Sequence, residues 1–232
     1  MKSQEEKIII YTDGSSIGNP GPGGWGAIIW YWHGKVKEIG GREDHTTNNR
    51  MELHGSIDAL EYVMDAAEPI TVITDSSYLI NGITKWVYGW QKNGWITGAK
   101  EPVLNKELWE ELYALTKQVE AEWKYAPGHA GVPGNERVDE IAQGLARGEK
   151  VMLYDGDYKN YGIDLTLEIR EGGSVRGKKP YSYLSLVDGK ATRHSSWAEC
   201  EARVKGKAGA KFKKTFSAED EKRILKDWNA SL

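Results

Sequence analysis

The chain has little cysteine, no long apolar run and almost no net charge, and each shortage removes a class of protein. A single cysteine, Cys200, among 232 residues cannot close an internal disulfide, and no cysteine cluster is present to hold zinc, so a packing role is expected for it. No apolar stretch approaches the roughly 20 residues that cross a bilayer. The opening "MKSQEEKIII" lacks the long apolar core that directs secretion. These absences predict a cytoplasmic protein with no membrane partner. Internal repeats and low-complexity tracts are also missing, and 232 residues suffice for one large domain or for a medium and a small one.

The small net charge of −3 conceals a split. Residues 1–173 contain 17 Lys+Arg against 27 Asp+Glu, net −10, whereas residues 174–232 contain 14 against 7, net +7. An acidic first body and a basic second body are implied. The second is suited to meet a polyanion, although such charge also serves simple solubility.

The stretch "YTDGSSIGNPGPGGWG", Tyr11 to Gly26, has the glycine content of a phosphate cradle but not its other parts. A dinucleotide fingerprint or a P-loop needs a helix after the glycines, whose free N–H groups hold the phosphate, and a P-loop also needs a lysine. Neither is here. The run Ile8, Ile9, Ile10 before the stretch and "WGAIIWYW" at its end are β-branched and aromatic, which predicts strand, loop, strand. Asp13 is thereby expected at the carboxyl end of a buried strand, facing glycines that let other segments approach closely. An acidic group so placed points to a metal.

Strands are expected near 7–12, 24–32 and 35–41, with His33 and Gly34 turning the second into the third. From Asn48 the apolar residues Leu53, Ile57, Leu60 and Met64 recur at helical spacing, and after Pro69 the segment "ITVIT" predicts a buried strand leading to Asp75. Strand, helix, strand makes a right-handed crossover. If the two strands are parallel, Asp13 and Asp75 emerge at one end of the sheet, where open α/β sheets bind ligands. A Trp-rich helical segment follows, then an amphipathic helix bearing Leu104, Leu108, Leu112, Leu115 and Val119. A strand in "AEWKYA", the loop "PGHAGVPG" and a helix capped by Asn135 complete the pattern. The expected organisation is a domain over 1–149, an extension and linker over 150–179, and a small basic α/β domain over 180–232.

Four acidic residues stand out by setting: Asp13 and Asp75 at strand ends, Glu52 early in a helix after "TTNNRM", and Asp139 in the helix after the glycine loop. Singly, such residues are ordinary turn formers or solvated faces. Together they offer oxygen ligands for magnesium, and two such ions about 4 Å apart stabilise both the attacking and the leaving oxygen of a phosphodiester displacement.

These blocks, with "TDSSYLINGITKW", "LW" and "GHAGVPGNERVDEIA" in order, resemble ribonuclease H type 1, above all its bacterial ribonuclease HI branch, over roughly residues 7–148. The resemblance implies an α/β fold, a five-stranded mixed sheet with flanking helices. It further implies an endonuclease that hydrolyses the RNA strand of RNA:DNA hybrids with two Mg2+ ions, Mn2+ being an alternative, and leaves 5′-phosphate and 3′-hydroxyl ends. Carried over by position, Asp13, Glu52, Asp75 and Asp139 are the metal ligands, with Asp13 bridging both ions. Asp139 completes the site that activates water, while Glu52 and Asp75 serve the leaving oxygen. His129 matches a mobile histidine that helps proton transfer or product release. His33, His45, His54 and His194 have no such counterpart.

For substrate, the resemblance assigns Asn19 and Asn48 to the RNA strand from the minor groove, helped by Ser16 and Glu52. A 2′-hydroxyl both donates and accepts, which suits amides. Thr47 and Asn49 match a pocket for a DNA-strand phosphate, and Trp86 matches an aromatic packed on deoxyribose; "TTNN" can also cap a helix. Ser77 replaces a longer glutamine of many relatives and shortens one RNA contact. A basic handle is reduced to Lys85, Lys92, Lys100 and Lys106, with Glu101 among them. Trp90, Trp95 and Trp109 are expected to pack rather than stack on bases.

Residues from Tyr183 to Leu225 resemble the hybrid-binding, or viroplasmin-like, domain that usually precedes a eukaryotic catalytic domain and here follows it. Thr215 before Phe216 departs from its common pattern. By this likeness Tyr183, Trp197 and Phe212 face a DNA strand while Lys213 and Lys214 meet phosphates, with double-stranded RNA as a further possible partner. The alternative is that these aromatics form the core of a tiny domain. The expected whole is a monomer, and its rivals are a catalytically silent hybrid-binding protein and a transposase or resolvase.

Overall fold

The computed structural model describes residues 7–32, 34–128, 131–166, 181–187, 189–207, 209–215, 218–228 and 230–232. His33, His129 and Phe216 lie outside these residues, as do 167–180, the later part of the expected extension and linker and the first residue of the expected basic domain. The chain divides into two compact units, 1–169 and 170–232.

The first unit is a mixed sheet with helices on both faces. Its strands are β1 (Ile8–Ser16), β2 (Gly21–Tyr31), β3 (Lys35–Thr46), β4 (Ile70–Thr74), β5 (Glu122–Tyr125) and β6 (Asp155–Asp157), ordered β5-β4-β1-β2-β3-β6. Central β1 runs antiparallel to β2 and parallel to β4. Successive strand side chains point to opposite faces, so the Ile8–Ile10 run serves two cores at once. Ile8 and Ile10 join Leu53, Leu60, Leu79 and Trp109 beneath helices α1 (Asn48–Tyr62) and α4 (Lys106–Gln118). On the other face Tyr11, Ile28, Trp30 and Ile73 meet Val138 of helix α5 (Pro133–Ala146).

Local chemistry sets most boundaries. Thr47 caps α1 by accepting from the Arg50 amide at 3.4 Å. Ser76 caps α2 (Ser77–Asn81), which continues through a π-helical turn at Gly82–Trp86 into α3 (Val87–Lys92). The widened turn falls where Gly82 lies flat against Trp109: a β-carbon there would stand 2.0 Å from the indole ring. Trp109 and Trp95 are buried and Trp90 packs against them, as expected of packing residues.

The structure differs from the expected pattern at several points. Strands β1 to β3 are longer than predicted because Gly21 and Gly23 pair with neighbouring strands instead of looping out, so Asp13 lies within β1, opposite Gly26. Leu104 and Met64 fall outside their helices and are exposed. Asn135 is not a cap: α5 starts two residues earlier, with Pro133 in its first turn, and Asn135 is buried inside it. The sheet also gains a sixth strand, since residues 150–166 fold back and β6 pairs with β3.

The second unit is a three-stranded antiparallel sheet, β7 (Ser182–Val187), β8 (Lys190–His194) and β9 (Lys211–Thr215), ordered β8-β7-β9, with helices α6 (Trp197–Val204) and α7 (Ala218–Asp227). Among the described residues of this unit, Leu184, Val187, Cys200, Val204 and Ile224 are the buried apolar ones. Cys200 is therefore a packing residue, as expected.

Candidate active site

Backbone register brings two of the four acids close. Tyr11 and Ile73 are the last pair across parallel β1 and β4, and Asp13 and Asp75 each follow two residues later, near enough for Asp75 to act on the Asp13 carboxyl. Gly14 brings in the third. A β-carbon at Gly14 would lie 2.2 Å from the Glu52 backbone nitrogen, so only glycine lets α1 approach β1 closely enough to set Glu52 beside Asp13. The fourth rides on α5, which lies close over Gly24 and Gly26: β-carbons there would meet the Ala142 carbonyl at 2.5 Å and the Val138 carbonyl at 2.9 Å.

The side chains are held by polar neighbours. Asn48 Nδ2 donates to Glu52 Oε1 at 3.0 Å and Ser76 Oγ donates to Oε2 at 2.5 Å. Asn135 Nδ2 donates to Asp75 Oδ2 at 3.1 Å, and Gln143 Nε2 donates to Asp139 Oδ1 at 2.5 Å. The Gly14 amide donates to Asp13 Oδ1 at 2.7 Å. Gly128, in the loop before α5, passes so near that a β-carbon would stand 2.5 Å from Asp75 Oδ2. Ser76, Asn135 and Gly128 are site residues that sequence reasoning missed. Ser76 gave a faint signal, as a small polar residue next to a predicted ligand, whereas Asn135 stood out only as a helix cap.

Electrostatically the site is unbalanced. Asp13 and Glu52 are each only 8 % exposed. Burial holds the Asp13 carboxyl well above the usual carboxylate range, Asp75 and Asp139 raise it further, the Gly14 amide opposes them, and Glu52 adds to the rise. Glu52 is pushed up to about 7, first by burial and then by Asp75, against the hydrogen bonds from Ser76 and Asn48. Among the described residues no three acidic, histidine or cysteine groups close on one point as a finished cage. The donors nonetheless suit a hard divalent cation: they are carboxylate oxygens, their mutual repulsion calls for positive charge, and the buried Oδ1 of Asn135 has no hydrogen-bond partner.

The other expected contacts are exposed or half-buried. Ser16 ends β1, Asn19 is exposed in the loop between β1 and β2, Thr47 and Asn48 open α1, and Asn49 is exposed beside them. Ser77 is the exposed first residue of α2, and Trp86 is exposed at the end of the π-helical turn, its ring 5.8 Å from that of Trp90. Capping by Thr47 and the Asn48 bond to Glu52 mean that "TTNN" shapes the helix start as well as presenting polar groups. His129 lies outside the described residues.

In the second unit Tyr183, Trp197 and Phe212 form a row, with ring centroids 6.0 Å apart for the first pair and 5.3 Å for the second. Trp197 is 41 % exposed and Phe212 53 %, so the row is surface and not the core of this unit. Lys213 and Lys214 are exposed on the same strand as Phe212.

Comparison with known proteins agrees with this geometry. Residues 5–147 match the family model described as RNase H. The chain is 54% identical over 140 residues to Ribonuclease H of Maricaulis maris, covering 60% of this chain and 93% of that one. It is 50% identical over 144 residues to Ribonuclease H of Zymomonas mobilis, covering 62% and 91%. Among solved structures it resembles LC9-RNase H1, described as a type 1 RNase H with the type 2 active-site motif, at 29% identity and a TM-score of 0.58, over 69% of this chain and 82% of that one. With four buried or half-buried acids gathered around Asp13 of β1, and with such identity across nearly the whole length of these relatives, the chain belongs to the RNase H family.

Proposed function

We infer that this chain is an endonuclease that hydrolyses the RNA strand of RNA:DNA hybrids, leaving 5′-phosphate and 3′-hydroxyl ends, and that it works as a cytoplasmic monomer. The observation that carries the reading is the meeting of Asp13, Glu52, Asp75 and Asp139 at one end of the sheet in a family of hydrolytic nucleases. A silent binding protein gains nothing from forcing four acids together beside a phosphate. A transposase or resolvase does not account for the amide-rich "TTNN" start of α1.

Asp13, Glu52, Asp75 and Asp139 would hold two Mg2+ ions, or Mn2+. Such ions, when bound, activate a water and stabilise the charge on the scissile phosphate. The protein's part is orientation. Ser76 and Asn48 fix both oxygens of Glu52, Asn135 turns Asp75, and Gln143 turns Asp139, so the carboxylates keep their directions as the phosphate arrives. Asn19, Asn48 and Ser16 are the groups for the 2′-hydroxyl side, Thr47 and Asn49 for a DNA phosphate, and Trp86 for a deoxyribose face. Ser77 reaches less far than a glutamine. His129, from the loop before α5, would assist proton transfer or product departure.

The catalytic body, residues 1–149, would be joined through the extension 150–179 to a duplex-binding unit, 180–232. An exposed aromatic row beside lysines supports that role, because rings stack on bases or sugars while lysines neutralise phosphates. Hybrid is the proposed ligand, and double-stranded RNA is the duplex to compare with it. The test is cleavage of an end-labelled hybrid in Mg2+, with double-stranded RNA and duplex DNA alongside. Selective cutting of the RNA strand of the hybrid supports the reading; equal cutting of all three overturns it.

A further inference from the structure

Residues 150–166 lie past the stretch that matches the family, yet they are built into the catalytic unit. β6 adds to the sheet edge at β3, pairing Lys35 with Asp157 and Lys37 with Asp155. The chain then crosses the α5 face of the sheet. Tyr158 lies against Trp30, ring centroids 4.9 Å apart, and its hydroxyl accepts from the Leu165 amide at 3.0 Å. Leu165 is buried, and its carbonyl accepts from the Tyr11 hydroxyl at 3.3 Å, two residues before Asp13.

At the centre of this covering is one buried carboxylate that the chemistry does not use. The Glu38 side chain is 0 % exposed. It accepts from Arg137 Nε at 2.8 Å and Arg137 Nη2 at 2.9 Å, from the Tyr161 hydroxyl at 2.6 Å and from the Tyr154 amide at 2.9 Å. Arg137 Nη2 also donates to the Met152 carbonyl at 2.9 Å. A fork-shaped guanidinium held through two nitrogens by a fixed carboxylate has little freedom left. Arg137 belongs to α5 and precedes Asp139 by two residues, about 200° around the helix, so the knot grips one side of α5 while Asp139 projects from another.

We propose that residues 150–166 are part of the catalytic apparatus: Glu38 and Tyr161, acting through Arg137, are positioning residues that fix the rotation of α5 and hence the place of Asp139 against Asp13. α5 lies close over Gly24 and Gly26, and beyond its first turn, where Asn135 bonds to Asp75, that apolar contact offers no polar key against rotation or sliding. The Glu38–Arg137 fork supplies that key, and the strap from Met152 to Tyr161 closes over it. Residues 150–166 are thus required by the active site although they contribute no group to it. The inference rests on the reading of this site as a hydrolytic one.

The test uses the full chain with three substitutions: Tyr161→Phe, which removes one hydroxyl; Arg137→Lys, which keeps the charge but not the fork; and Glu38→Gln. Steady-state cleavage of a hybrid is measured well below each variant's melting temperature, together with amide hydrogen exchange across α5. The proposal expects kcat to fall in all three, by up to roughly 100-fold for Glu38→Gln, as a small misplacement of a reacting group does. KM for the hybrid stays within about two-fold, since no substrate contact is touched. Exchange in 137–142 rises even in Tyr161→Phe, which retains every apolar contact. A lowered melting temperature with unchanged kcat would overturn the proposal and leave these residues as scaffold only, as would a rise in KM with kcat intact. Wild-type activity on the hybrid is the internal control: its absence counts against the hydrolytic reading, whereas equal activity of wild type and variants counts only against positioning.

Discussion

Ser76 Oγ and Glu52 Oε2 lie 2.5 Å apart, and the same Oγ accepts from the Leu79 amide at 3.1 Å, so one hydroxyl both caps α2 and steers a carboxylate of the site. The bond also lowers the Glu52 pKa against the larger effect of burial. Ser76→Ala is therefore expected to raise that pKa further and to let the carboxylate turn. Loss of a partner behind a ligand costs about 10- to 100-fold in metal affinity or activity. The check is a Mg2+ titration of the cleavage rate, in which Ser76→Ala needs more Mg2+ for half-maximal rate; an unchanged titration contradicts the assigned role.

The crowded acids make a prediction about stability without metal. Asp13 and Glu52 both have folded pKa values above their unfolded ones, Glu52 at about 7. Such groups bind more protons when folded, so their contribution is complete below the unfolded values near 4 and is lost as pH rises through the folded ones. In chelator, the melting temperature should fall between about pH 5 and pH 8. Asp13→Asn should flatten the fall, and Mg2+ should raise the melting temperature more at the higher pH. Scanning calorimetry on both proteins measures this, and a metal-free protein that gains stability across the same interval would refute it.

Gly14 offers a test of how the fold makes the site. A β-carbon there meets the Glu52 and Met51 backbone, not a side chain that can swing away, so Gly14→Ala must push α1 off β1. A loss of about 3 kcal/mol, the upper range for overpacking, is expected in urea unfolding, with cleavage falling further than stability explains. A variant with wild-type stability and rate would mean that the close approach is not needed.

Much of this was legible in the residues. The β-branched runs, the helical spacing from Leu53 to Leu60 and the strand before Asp75 gave the element order, and that order, with β1 and β4 parallel, already implied that Asp13 and Asp75 emerge at one end of the sheet. The hairpin misled because Gly21 and Gly23, read as loop, are in fact strand residues, Gly21 kept small by the Ile17 backbone and Gly23 by Thr46 and Met51. Asn135 looked like a cap because its type and place fit one, but the proline two residues earlier starts the helix and frees its amide for Asp75. The role of Glu38 was hidden. Its partners lie 99 and more residues away in sequence, and an alternating strand pattern does not announce a buried acid.

The basic unit makes a prediction about salt. Each phosphate neutralised by a lysine contributes roughly −0.9 to the slope of log affinity against log salt on B-form duplex, and a hybrid should behave comparably. A chain ending near Gly173 should bind hybrid more weakly, with a flatter salt dependence, and should raise KM more than it lowers kcat. Trp197→Ala should weaken binding and leave the slope alone, because stacking releases no counterions. Titrations on hybrid, double-stranded RNA and duplex DNA measure both quantities; equal slopes with and without the unit would remove Lys213 and Lys214 from the phosphate contacts.

The most direct measurement compares the protein with Asp13→Asn on an end-labelled RNA:DNA hybrid in Mg2+, following cleavage and binding in parallel. Asp13 stands among the other three acids, so removing its charge takes away the centre of the ligand set while leaving the ribose and phosphate contacts in place. The account predicts that the protein cuts the RNA strand to 5′-phosphate products, and that Asp13→Asn binds the hybrid within a few-fold but does not cut it. Cleavage by Asp13→Asn at the wild-type rate would contradict the account.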